Sequence, residues 1–169
     1  MPAAALPQLQ RHERVLATAQ EDVTGHWLVL TTWRLLERTP DGMTVLELPW
    51  HGIDSGAWDP DTWTLTVSFV DGGQARQWVL QRRTGPGRIP EIFHERTSAS
   101  VVLIRAVDLG RGRTARVTIR KDLHNRELLE QVLMGRGSRA ADGPLMEQVL
   151  IARQEVRGQV GMDPVGADD

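Results

Sequence analysis

Thr62-Trp-Thr-Leu-Thr-Val-Ser-Phe-Val70 sets a large apolar side chain at every second position with a hydroxyl between. Successive side chains of a strand point to opposite faces, so this stretch reads as a strand with one dry face, Trp63, Leu65, Val67 and Phe69, and one wet face. Asp59-Pro-Asp61 precedes it, and Asp71-Gly-Gly73 follows as a hairpin signal that makes Ala75–Gln81 the returning strand. Upstream, Arg14–Ala19, Trp27–Leu36 and Thr44–Trp50 read as strands punctuated by Glu21–Gly25 and Pro40-Asp-Gly42. Downstream, Gly85-Pro-Gly87 and Pro90 break the pattern, and Pro90–Thr97 reads as a short helical insert. Ser100–Leu109 and Thr114–Lys121 are two further strands joined by Gly110-Arg-Gly112. Seven short strands in succession predict a mainly β fold, an antiparallel barrel or sandwich.

Helical periodicity enters only afterwards. Leu128, Leu129, Val132 and Leu133 fall on one face of a helix predicted over 125–134, which would cap the strands. A Gly/Ser/Ala linker over 135–143 precedes a tail helix over 144–158. Pro144 suits the first turn of that helix, and Leu145, Val149, Ala152 and Val156 form a stripe that must be buried. The organisation expected is a flexible arm (1–12), one domain (13–134), the linker, the tail helix and a disordered end (159–169).

Composition narrows the function classes. The 169 residues are 40% hydrophobic and 25% charged, as in a globular domain. There is no cysteine, which excludes disulfides, thiolate metal sites and a cysteine nucleophile. The longest strongly apolar run, Val101–Ile104, is far below the roughly 20 residues of a membrane span. The opening Met1-Pro-Ala-Ala-Ala-Leu-Pro7 has neither the basic nor the apolar region of a signal peptide, so a cytoplasmic location is expected.

A net charge of −2 hides sorting: −6 over residues 1–75, +8 over 76–121 and −4 over 122–169. The basic band makes Arg82, Arg83, Arg88, Arg111, Arg113, Arg116, Arg120 and Lys121 candidate contacts for an anionic partner. Arg116 and Arg120 share the face of Thr118, opposite Val117 and Ile119, and are expected to face solvent. No catalytic or metal-binding set is predicted. His51-Gly-Ile-Asp54-Ser55 holds the residue types of a hydrolase triad, but an extended segment separates its ends by about 13 Å. The His-Glu pairs at His12 and His94 lack a second His at i+4. Gly110-Arg-Gly112-Arg-Thr-Ala115 fits a dinucleotide fingerprint, yet the residues after it alternate as a strand does. Gly135–Ala140 fits it too, but follows the predicted helix. All six Trp lie between Trp27 and Trp78 and read mainly as core, with Trp50 and Trp58, beside turns, the two to be exposed.

Trp27-Leu-Val-Leu-Thr-Thr-Trp-Arg-Leu-Leu36 and Leu48-Pro-Trp-His-Gly-Ile-Asp54 resemble the "vvLTxxRLL" and "iPyxdI" segments of bacterial pleckstrin-homology-like domains. The resemblance covers about residues 13–134 and implies seven strands closed by a C-terminal amphipathic helix. In eukaryotic relatives the first hairpin loop holds basic residues that clamp phosphoinositide phosphates, whereas Gln20-Glu-Asp-Val-Thr-Gly25 is acidic. Arg34, in an apolar strand, needs a partner, with Asp54 or Glu47 as candidates. The expectation is a non-catalytic binding or scaffolding module without cofactor, acting by protein association or self-assembly. The alternatives are nucleic-acid or anionic-lipid binding through the basic band, and a small hydrolase whose site the sequence hides.

Overall fold

A computed structural model describes residues 1–166. The strands are β1 (Val15–Gln20), β2 (Trp27–Thr31), β3 (Arg34–Arg38), β4 (Thr44–Pro49), β5 (Ile53–Asp59), β6 (Thr64–Phe69), β7 (Arg76–Val79), β8 (Val101–Asp108), β9 (Thr114–Lys121) and β10 (Leu128–Met134). The helices are α1 (Ile89–Ser100) and α2 (Gly143–Val160). The fold is mainly β with a C-terminal helix, as expected, but the strands form three antiparallel sheets, β1–β4, β5–β7 and β8–β10, and no closed barrel among the described residues. The chain divides into two compact units: residues 1–100 with 122–126, and residues 101–121 with the chain from 127 onward.

In unit 1 the two meandering sheets and α1 share one core that contains Leu28, Leu30, Leu35, Trp50, Leu65, Val67, Trp78 and Phe93. β2 is buried on both faces. Leu28 and Leu30 join this core, while Trp27 and Val29 pack with Ala5 of the N-terminal segment, which is why the strand reads apolar on both parities. Residues 1–12 are therefore no loose arm: Ala3–Ala5 make a 3₁₀ turn and Ala5 is fully buried. Trp27–Leu36, expected as one strand, is a hairpin. Thr31 Oγ1 accepts the amides of Trp33 and Arg34 and so closes its turn. The insert after β7 is a full helix with Ile89, Ile92 and Phe93 on its buried face. A Cβ at position 56 would stand 2.2 Å from the Phe93 ring, so only glycine lets α1 lie this close to β5.

Unit 2 is the meander β10-β9-β8 with α2 against it. Asp142 caps α2, accepting the Leu145 amide, and Gly161 ends it at φ +72°. The stripe Leu145, Val149, Ala152 and Val156 is buried against Val107, Ala115, Val117 and Ile119, as the periodicity requires. The helix predicted over 125–134 is wrong: Leu128–Met134 is strand β10, in register with β9 from Leu128↔Lys121 to Met134↔Ala115. Tertiary pairing overrides the helical spacing, because Glu130 on this strand is held by Arg153 and Arg157 of α2. Of the frayed end expected from 159, residues 159 and 160 complete α2 and residues 167–169 lie outside the described residues.

Candidate functional site

A cavity of about 610 Å³ in unit 1 runs along the outer edge of β7. Gln74, Arg76, Gln77 and Val79 form one wall, and Glu21, Val23 and Thr24 of the β1–β2 loop form the other, with Glu37 between them. Both the loop and the edge follow from local chemistry. The Glu21 carboxylate accepts the amides of Val23 (3.0 Å) and Thr24 (2.6 Å) and the Thr24 hydroxyl (2.7 Å), and Gly25 turns the chain at φ +74°. Asp22 accepts the amides of Gln81, Arg82 and Arg83 at 2.9–3.1 Å, which straps this loop to the one after β7. These two acids build the walls; the acidic character of the loop is structural. Leu80 donates to Trp63 O on the β6 side and Val79 O accepts from Asp22 N on the other. The antiparallel alternation then turns the backbone N–H and C=O of Gln77 outward, into the cleft.

Glu37 is 3% exposed and lies at the centre of a network. His26 Nδ1 is 2.7 Å from one carboxylate oxygen, while Arg76 (2.5 Å) and Trp78 Nε1 (3.1 Å) donate to the other. Burial alone would raise its pKa; the hydrogen bonds from His26, Arg76 and Trp78 outweigh it and hold the carboxyl below the ordinary glutamate range. Glu21 is likewise lowered, its burial outweighed by Thr24 and the loop amides. No described hydroxyl hydrogen-bonds the His26 ring, so the Glu37–His26 pair lacks the nucleophile of a triad. A second buried acid, Glu13, takes both Nε and Nη2 of Arg34 at 2.9 Å together with the Thr31 hydroxyl. Glu47 is 2.5 Å from the third guanidinium nitrogen, so Arg34 has the expected Glu47 plus a partner that the sequence did not indicate.

The eight predicted contacts fall in both units. Arg82 and Arg83 are exposed on the loop beside the cleft, with Arg83 laid over Gly25, while Arg88 pairs with Glu91 at 2.9 Å. Arg111 is at the tip of the β8–β9 hairpin, and Arg113 is bound by Asp142 at 2.6 and 2.8 Å. Lys121 is half-buried at the end of β9. The expectation that Arg116 and Arg120 face solvent is wrong: Arg116 is half-buried and Arg120 is 3% exposed. β9 is the middle strand of its sheet, so side chains on either face stand between those of two neighbours. The tryptophans also depart from expectation. Trp50 is fully buried and donates to Thr31 O, whereas Trp63 leaves the strand at φ +56° and is partly exposed beside Trp58.

The His51–Ser55 segment makes no triad. Ser55 bonds to Ser68, and the His51 ring lies 4.0 Å from Asp122. Gly110-Arg-Gly112 is the hairpin between two strands, which offers no helix N-terminus to a dinucleotide. Sequence reading missed Glu21, Glu37, His26 and Gln77. The available signal was Glu37 itself, a carboxylate directly after two leucines in a buried strand.

The class defined by this geometry is a mainly β protein with an open, internally neutralised cleft along a sheet edge. No family model matches the chain, and no curated protein or solved structure is similar to it. Among the described residues no helix is long and apolar enough to cross a membrane. No three His, Asp or Glu residues there are grouped for a metal ion.

Proposed function

We propose that this chain is a non-catalytic, cytoplasmic binding module that takes an extended segment of a partner protein along the outer edge of β7. One observation carries the reading: a cleft of about 610 Å³ beside an outward-facing strand edge whose neighbouring acids are already satisfied. A volume in the range of about 300–1,000 Å³ suits a short segment. The outward N–H and C=O of Gln77 supply main-chain hydrogen bonds to an added strand. Acids engaged by His26, Arg76, Trp78 and loop amides serve as framework and carry no proton transfer. The pleckstrin-homology-like reading, made over residues 13–134 with a closing helix at 125–134, is narrowed to unit 1, with α1 in place of that helix. The order of a four-stranded meander, a three-stranded meander and a helix supports it. Arg82 and Arg83 on the rim favour a segment that carries carboxylates.

Selection from displayed random peptides tests this reading. Bound peptides slow hydrogen exchange at Gln77, and Gln77→Pro weakens them about tenfold. Proline is tolerated on an edge strand, so the fold survives that substitution. Failure to select any peptide, or equal affinity for the variant, contradicts the reading. DNA or anionic-vesicle retention that Arg82→Glu with Arg83→Glu abolishes, in the absence of peptide binding, replaces it with the anionic alternative.

A further inference from the structure

Unit 2 ends its sheet on β8, eight residues long and free along its outer edge among the described residues. Natural edge strands are usually blunted by proline, lysine, shortness or a bulge. Val101–Asp108 contains neither proline nor lysine, and its single irregularity lies at one end, between Val101 and Leu103. The edge is also apolar: Ile104 is 51% exposed and Val102 42%, and Ile151 of α2 is exposed on the wall of a groove of about 200 Å³ that runs beside the strand.

The occupant of such an edge follows from its register. Leu109 N donates to Arg113 O on the β9 side, so alternation turns the N–H and C=O of Ile104 and Ala106 outward. A two-fold axis at Arg105 sets Ile104 opposite Ala106 of a second copy, and Ala106 opposite its Ile104, both as hydrogen-bonded pairs. On the helix side it sets Leu103 opposite Val107, an apolar match. The remaining pair is Arg105 with Arg105, and each lies 3.3 Å from its own Glu155, so each arginine at the axis arrives already neutralised and the four charges sum to zero. A patch that complements itself residue by residue is what an isologous interface needs.

We propose that β8 pairs antiparallel with β8 of a second copy of this chain, joining two three-stranded sheets into one of six strands. The surface is independent of the cleft along β7, and either assignment stands without the other.

Sedimentation velocity on the full chain, between about 1 and 200 µM, reads it. The mass doubles as concentration rises. Ala106→Pro removes an outward N–H and Ile104→Lys adds a charge to an exposed position; both sediment as single chains with unchanged circular dichroism and melting temperature. Should Ala106→Pro fail to fold, Ile104→Lys alone decides. A wild-type chain that stays single throughout, or a doubled mass that persists in the folded variants, overturns the proposal.

Discussion

Unit 1 carries Glu13, Glu21 and Glu37 buried and fully engaged, while in unit 2 the pairs Arg105–Glu155 and Arg113–Asp142 lie at the surface. Unit 1 fills its core with Trp50, Trp78 and Phe93; the core of unit 2 is wholly aliphatic. The difference teaches where direction comes from. Buried carboxylates with three or more donors fix the angles of the strands around them, so the walls of the cleft are held in one geometry. The aliphatic sheet-and-helix layer of unit 2 is held mainly by burial, with the Glu130–Arg153–Arg157 cluster at its side, and its specificity rests on register at the open edge. On this account unit 1 recognises and unit 2 assembles.

The largest effect that would break this comparison is at Glu37. Glu37→Leu strands the Trp78 indole N–H and leaves Arg76 and His26 without their acceptor, so it costs about 3 kcal/mol or more in chemical denaturation. Asp142→Ala, which removes a helix cap and an ion pair in unit 2, costs about 1 kcal/mol. Equal losses would erase the distinction. Next comes acid. Glu13, Glu21 and Glu37 all have lowered pKa values in the fold, so they add stability in full above the ordinary value of 4.5, and it is lost as pH falls through their lowered values. All six Trp belong to unit 1, so tryptophan fluorescence follows this loss in that unit alone. A signal unchanged well below pH 4.5 would show the buried acids to be idle.

Smaller effects sharpen the contrast. Gly56→Ala drives a methyl into the Phe93 ring and costs about 1–2 kcal/mol by thermal melting, because the α1–β5 contact has no slack. Arg113→Ala breaks a half-exposed pair with Asp142 and costs less than about 1 kcal/mol in the same assay.

How much of this was legible follows the same division between local and distant causes. The strand expected over Thr62–Val70, the hairpins around Asp71-Gly-Gly73 and Gly110-Arg-Gly112 and the α2 stripe are written in local periodicity and turn residues, and the structure has each of them, with the strand shortened to Thr64–Phe69. β5 was hidden because Asp54-Ser-Gly-Ala57 has poor strand propensity and is held by its register with β6. β10 was hidden because Leu128, Leu129, Val132 and Leu133 fit a helix as well as a strand, and pairing with β9 chose between them. The cleft was less legible still. Glu37, His26, Arg76 and Trp78 come from three separated stretches, and no spacing rule connects them before the two sheets of unit 1 meet.

Hydrogen exchange at three amides tests the division of labour most directly. The amides of Gln77, Ile104 and Ala106 all face outward from free strand edges. With rising chain concentration, Ile104 and Ala106 become protected while Gln77 exchanges as before, and Gln77 slows only when a selected peptide is added. Protection of Gln77 that rises with chain concentration, with Ile104 and Ala106 unchanged, would contradict the account and move self-association to unit 1.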